Sequence, residues 1–155
     1  MQVRALFDMT LLLLGQMVHR MAETWRSHEA ERIQLLLEQL DAETRQGHTE
    51  KFYDLIFQGM AQQHEMVGNP YLMRYYQELL PSLRRSYFLT LNISRRELQE
   101  SFDLFKLVTE AILIRKTHQA TLFMEDFCRH LRNLVLESLT RMKQIELAWA
   151  RRSRR

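Results

Sequence analysis

Two pairs of polar residues could do chemistry in this sequence, because each pair is spaced four residues apart within a helical pattern. Asp54 and Gln58 form the first pair, and Asp126 and His130 form the second. Residues four apart lie one turn apart on a helix, so each pair would face one space. A carboxylate and an imidazole from two facing helices could hold a metal or a polar ligand. They could equally be hydrogen-bonded residues at the edge of the core, and spacing alone favours this second interpretation.

Motifs of the common enzyme sites are missing from the sequence. It contains no phosphate-binding glycine loop, no nucleophile elbow and no HExxH or paired-cysteine zinc pattern. No glutamate is followed three residues later by a histidine, which excludes the di-iron site of helical bundles. The single cysteine, Cys128, lies in a helical pattern, where we expect a small buried apolar side chain. We therefore predict that the protein is not an enzyme.

The polar pairs are predicted to lie in an all-α fold, an antiparallel bundle of about six helices. The chain of 155 residues has only 4 Gly and 2 Pro, so its elements should be long. Apolar residues recur at helical spacing along most of the chain. The third predicted helix begins at Thr49 and ends at Gly68-Asn69-Pro70, where Gly follows one helix and Pro opens the next. Pro81 should kink the fourth helix, because proline lacks the N–H that the helix needs.

Charge, hydropathy and cysteine content predict the extent of the domain and its cellular compartment. The helical domain is predicted to span residues 1–149, with 150–155 as a disordered basic tail. That tail contains four arginines, so the net charge of +3 hides a nearly neutral body. The Leu11–Leu14 run falls well short of the roughly 20 apolar residues that a bilayer requires. A single cysteine fits a reducing compartment, so we expect a cytoplasmic protein without membrane contact.

The segment from Asp54 to Pro70 resembles a motif of the FCD domain. Asp54-Leu-Ile-Phe-Gln58 stands where that family has Asp-x-x-Phe-His, and Gly68-Asn69-Pro70 matches its Gly-Asn-Pro. Phe105-x-x-Val-x-x-Ala-Ile is similar to its His-x-x-Ile-x-x-Ala-Ile, and His130-Leu resembles the end of its closing helix. FCD domains are the C-terminal effector-binding domains of one branch of GntR-type bacterial transcription regulators. The resemblance covers nearly the whole chain, and it implies that DNA is contacted only through a winged-helix domain absent from these residues.

This resemblance also implies where a ligand or metal would bind. Many members of the family hold a divalent metal with one aspartate and three histidines. Asp54 and His130 retain two of these positions and are the only metal candidates, whereas Gln58 and Phe105 replace two of the histidines. Two remaining ligands are too few to hold a divalent ion without further help, so we expect no metal cofactor. The pattern is closer to the FadR-like branch, which lacks the metal site and binds long-chain acyl-CoA.

The function implied by the resemblance is a ligand-binding and dimerisation domain of a GntR-family transcriptional regulator. Its effector would be a small organic acid or an acyl-CoA-like molecule, and the protein would form a homodimer. The ligand-binding candidates are Asp54, Gln58, Phe105 and His130, followed by Tyr87, Arg84 and Arg85. The alternative is a structural helical dimerisation or interaction module with a filled core and no ligand. Whether the chain is a fragment of a longer regulator or a stand-alone domain stays open.

Overall fold

The computed structural model describes residues 2–154 and confirms the all-α bundle. Seven α-helices follow one another, with one short 3-10 helix, Phe88–Thr90, after the fifth. They are α1 (Val3–Thr24), α2 (Ser27–Gln46), α3 (Thr49–Met60), α4 (His64–Val67), α5 (Pro70–Tyr87), α6 (Arg95–Leu113) and α7 (Thr117–Ser153). Within the described range there is no β-strand. No helix there combines the length and the apolar character that a membrane span requires.

Helices α1 and α7 form the centre of the bundle and pack along each other. Gly15 lies at their contact, where the hydroxyl of Thr121 donates a hydrogen bond of 3.0 Å to the Gly15 carbonyl. A Cβ atom at position 15 would lie 3.2 Å from the methyl carbon of Thr121, so glycine allows this close approach. Helices α5 and α6 flank this pair, and α2 packs across α6 and α3. Helix α3 therefore lies near the outside of the bundle, between α2 and α5.

Several helix ends follow the capping signals in the sequence. Gly47 ends α2 in the left-handed region at φ 71°, where glycine carries no steric penalty. Asn69 accepts hydrogen bonds from the backbone N–H groups of Tyr71 and Leu72, each at 3.1 Å, and Pro70 occupies the first position of α5. Ser94 caps α6 by accepting from the backbone N–H of Glu97 at 3.1 Å.

The third predicted helix is divided in two, which corrects its predicted extent. Helix α3 ends at Met60, and the separate short helix α4 precedes Gly68. The backbone N–H of Gln62 bonds to the Gly59 carbonyl, and that of Gln63 bonds to the Met60 carbonyl. These three-residue spacings tighten the last turn, and Gly59 lowers the local helix propensity. Only the second part, α4, ends at the predicted Gly68-Asn69-Pro70 boundary.

Helix α7 extends beyond the end that the sequence predicted. Residues 150–153, assigned above to a disordered tail, are helical with exposed side chains, and Arg155 lies outside the described residues. Alanine and arginine are good helix formers, and arginine near a helix C-terminus interacts favourably with the helix dipole. Pro81 lies inside α5, which continues through it to Tyr87; the kink angle at this proline stays a prediction.

Two glycines provide a test of these local interpretations. We expect Gly47→Ala to lower the free energy of unfolding by about 1–2 kcal/mol, because a left-handed backbone disfavours a side chain. The new Cβ would also lie 2.5 Å from the Arg95 guanidinium. Gly59→Ala should instead raise the free energy of unfolding by about 0.5–1 kcal/mol. Gly59 is helical, and an added Cβ at this position would meet nothing within 4 Å. Urea unfolding measures both changes, and equal effects of the two variants would contradict this interpretation.

Candidate functional site

Asp54 lies on α3 in a polar cluster that α5 completes. The Arg84 guanidinium donates to its carboxylate at 3.2 and 3.4 Å, and the Tyr87 hydroxyl also donates to it. Burial and the hydrogen bond to Asp54 raise the pKa of Tyr87 above its ordinary value, so this hydroxyl remains a donor at neutral pH. The hydrogen bond to Asp54 likewise raises the pKa of Arg84. Asp54 is therefore an acceptor that already has two internal partners.

Gln58 and Arg85 lie beside this cluster at the surface. Both border a groove of about 380 Å³ between α3 and α5, together with Arg84 and Phe88. The Arg84 guanidinium lies 4.6 Å from the centroid of the Phe88 ring, a cation–π contact that fixes its orientation. The groove thus combines two cationic side chains with an amide and an aromatic ring. Such a surface suits an anionic group.

His130 belongs to a separate hydrogen-bond network between α6 and α7. Its Nδ1 lies 3.0 Å from the Ser101 hydroxyl, and its Nε2 lies 3.3 Å from a Glu100 carboxylate oxygen. Ser101 also bonds to the Tyr53 hydroxyl at 2.7 Å. Burial raises the pKa of Tyr53 well above its ordinary value, so this phenol stays protonated. Ser101 is fully buried, and its hydroxyl is held between Tyr53 and His130.

An aromatic layer lies in the core next to several of the sequence-predicted site residues. The rings of Tyr53 and Tyr87 lie 5.8 Å apart, and Phe57 stacks on Tyr87 at 5.3 Å. Phe105 packs on Phe127 with ring centroids 5.4 Å apart. These rings form one continuous layer, because Phe127 also contacts the rings of Tyr53 and Phe57. The structure therefore brings Asp54, Gln58, Tyr87 and Arg84 together, but it places His130 and Phe105 elsewhere.

The donor set at these positions does not fit a divalent metal. Phe105 offers no donor atom, Asp54 is bound by Arg84 and Tyr87, and both ring nitrogens of His130 have partners. Across residues 2–154, one group of three His, Asp or Glu side chains has its donor atoms within 4.8 Å of one another: His28, Glu29 and Glu65. Glu29 accepts there from the backbone N–H of Arg26 at 2.9 Å, so it acts as a helix cap.

Cys128 is not a nucleophile in this fold. Its side chain is fully buried in α7, and burial raises the pKa of the thiol to about 12. A thiol with such a pKa holds almost no thiolate at neutral pH, and thiolate is the reactive form. Its position agrees with the small buried apolar side chain expected from the sequence.

A cavity of about 150 Å³ lies on a different face of α3, enclosed by α1, α2, α3, α4 and α6. Phe105 is the only sequence-predicted site residue in its wall. Most of its wall is apolar, and its polar side chains come from Arg32, Gln63 and Thr109. The remaining lining residues are Val18, Met21, Ile33, Leu36, Ile56, Gly59, Met60, Met66, Val108 and Ile112.

The polar edge of this cavity includes an arginine that no carboxylate neutralises. Arg32 is exposed on α2, and within residues 2–154 it forms no ion pair. Gln63 donates one amide hydrogen to the Gly59 carbonyl at 3.0 Å, which leaves its second amide hydrogen for another acceptor. Gly59 borders the same opening and has no neighbour within 4 Å of an added Cβ. A cation, an amide and open space therefore meet at the mouth of an apolar cavity.

Sequence reasoning did not identify Arg32, Gly59 or Gln63 as site residues. The sequence contained one signal for the cavity. Gly59 lies on the apolar face of α3, and the neighbouring residues of that face have large side chains. A glycine in a helix interior marks either close packing or open space. Arg32 gave no signal of its own, since exposed arginines are common on helices. Only the packing of α2 against α3 and α6 brings it to the cavity.

The comparison with known families agrees with this architecture. The family model of the FCD domain matches residues 5–151, which is nearly the whole chain. No curated protein matches the sequence. The resemblance seen in the Asp54–Pro70 segment is thereby confirmed at the level of the family. The chain belongs to the FCD domain family, the effector-binding domains of GntR-type transcription regulators.

Proposed function

We propose that this domain binds a small organic acid or an acyl-CoA-like effector in the cavity between α2, α3 and α6. The observation that supports this proposal is the apolar cavity of about 150 Å³ with Arg32 and Gln63 at its mouth. Ligand sites are typically concave and mostly apolar, with a few polar groups that orient the ligand. An acidic effector would bury its apolar part in the cavity and pair its anionic group with Arg32.

Effector binding would favour one arrangement of the surrounding helices. The cavity wall draws residues from five helices, so a bound molecule contacts all of them at once. A ligand shifts an equilibrium toward the arrangement that it contacts best. In a regulator with two DNA-binding heads, such a shift would change the spacing of those heads on DNA.

The groove around Arg84 would hold the polar part of a larger effector. Gly59 borders both the cavity and the surface that Asp54, Gln58 and Arg84 line. An acyl-CoA-like molecule could therefore place its tail past Gly59 and its phosphates near Arg84 and Arg85. Arginine is well suited to phosphate because its guanidinium forms bidentate hydrogen bonds.

Ligand-dependent melting of the purified domain tests the proposal. We expect at least one class among acyl-CoAs, monocarboxylates, dicarboxylates and sugar acids to raise Tm, because a ligand at 100 times its Kd adds about 2.7 kcal/mol of stability. Gly59→Leu should abolish the rise, because Gly59 lines the cavity and a leucine there would take up space at its wall. Glu38→Leu adds the same side chain on the exposed surface of α2 and should keep the rise. No rise with any class would contradict the proposal and support a structural module without a ligand.

We also propose that the domain functions without a divalent metal. Gln58 and Phe105 stand where the family has histidines, and the donor atoms of Asp54 and His130 are held in separate networks. Elemental analysis of the domain as purified should therefore find no stoichiometric metal. Zinc, nickel or manganese at one equivalent per chain would contradict this proposal.

Homodimerisation is the remaining part of the proposed function. The last turns of α7 expose Met142 at 46%, Ile145 at 58% and Trp149 at 64%, and such a stripe would be covered in a dimer. If it is the interface, Ile145→Glu should shift the sedimentation coefficient from dimer to monomer. Gln144→Glu introduces the same charge at the neighbouring exposed position and should leave the dimer intact. A monomeric unmodified domain at all concentrations would contradict dimerisation.

A further inference from the structure

We infer that the preferred effector is a monocarboxylate with an apolar tail of about six carbon atoms, its tail in the α2–α3–α6 cavity and its carboxylate on Arg32. This inference rests on the proposed function and narrows it to one class of ligand. It depends on three features of the cavity: its volume, the single cation at its mouth and the missing side chain of Gly59.

The volume of the cavity limits the tail. An apolar protein cavity of about 150 Å³ holds a molecule the size of benzene, which has six carbon atoms. The cavity has this volume, and its deepest wall contains the fully buried side chains of Val18, Ile56 and Val108. Close-packed interiors of this kind do not expand by several methylene groups without strain. A tail much longer than six carbons therefore has no space inside.

Composition of the wall limits the charge of the ligand. Phe105, Met60 and Ile112 are among the buried apolar residues of the wall, and a second carboxylate pressed against them would lose its hydration without gaining a partner. Thr109 cannot compensate, because its hydroxyl donates to the Lys106 carbonyl at 2.8 Å. The interior thus selects an uncharged tail and disfavours dicarboxylates and sugar acids.

The mouth of the cavity accepts one anionic head group. Arg32 is its cation and forms no ion pair with any carboxylate in the described part of the chain. The free amide hydrogen of Gln63 provides a second donor at the same edge. A carboxylate has two acceptor oxygens, which suits one guanidinium and one amide. By contrast, Arg84 already bonds to Asp54 and is less available to a small anion.

Gly59 keeps the cavity open. Its backbone is helical rather than left-handed, so its conformation does not require glycine. Nothing lies within 4 Å of the position that its Cβ would occupy, so close packing does not require glycine either. Glycine in a helix interior costs about 0.5–1 kcal/mol relative to alanine. Glycine at this position leaves open space at the wall of the cavity.

Calorimetric titration of the purified domain with saturated monocarboxylates of four to twelve carbons tests the inference. Affinity should peak near hexanoate to octanoate and fall for longer chains, because their tails exceed the cavity. Arg32→Gln should weaken binding of the best acid about tenfold or more, since a charge-assisted bond is lost. Arg45→Gln is the matched control, because it removes an exposed arginine of the same helix that pairs with Asp41 at 2.9 Å. Hexanamide should bind weakly to all three proteins.

Several outcomes would overturn the inference. The first is affinity that rises steadily to twelve carbons, which would show that the tail does not end in this cavity. The second is equal affinity of the best acid for the Arg32→Gln and Arg45→Gln variants. The same holds if hexanoyl-CoA binds more tightly than the acid and its affinity does not change with Arg32→Gln. The third is binding of dicarboxylates or sugar acids but not of monocarboxylates, which would overturn the ligand class and leave the proposed function standing. Binding of no acid and no thioester would overturn both.

Discussion

Burial of an aromatic layer is the constraint on which the rest of this structure depends. At the junction of α3, α5 and α7, the rings of Tyr53 and Phe57 each contact those of Tyr87 and Phe127. Such rings remove large apolar areas from water, but each buried tyrosine hydroxyl must keep a hydrogen-bond partner. Tyr53 therefore bonds to Ser101, and Tyr87 donates to Asp54. This requirement explains why Ser101 and Asp54 lie next to the two tyrosine hydroxyls.

That constraint also determines which polar atoms are free to bind a ligand. The sequence resemblance puts Asp54, His130 and Phe105 at three of the family's ligand positions, yet Asp54 and His130 are partners in the hydrogen-bond networks of buried tyrosines. Phe105, at a third position, contributes its ring to the core and one edge to the cavity. The apolar cavity lies on the α2 side of α3, where Gly59 provides no side chain. Under the proposed function, the effector would be recognised by Arg32 and by apolar contacts in this cavity, without a bond to a metal.

Connections at the other end of the bundle are held by arginine side chains. Arg115 has a left-handed backbone at φ 59°, and its guanidinium bonds to the Trp25 carbonyl at 2.7 Å while stacking 4.1 Å from the Trp25 ring centroid. Arg20 bonds to the carbonyls of Val67 and Gly68, which ties α4 to α1. These bonds satisfy carbonyls at helix ends that the helices themselves leave free. They also fix α4, whose Met66 closes one side of the cavity.

The sequence by itself determined the helical class, most of the helix ends and the family, because periodicity, capping residues and the Asp54–Pro70 motif are local signals. It also placed Asp54, Gln58, Arg84 and Tyr87 among the candidates, and the structure brings these four together. Tertiary structure alone decided that His130 bonds to Ser101, that Arg84 and Tyr87 bond to Asp54, and that Arg32 reaches the cavity. Each of these depends on contacts between residues far apart in the chain, and spacing along one helix carries no information about which other helix will face it.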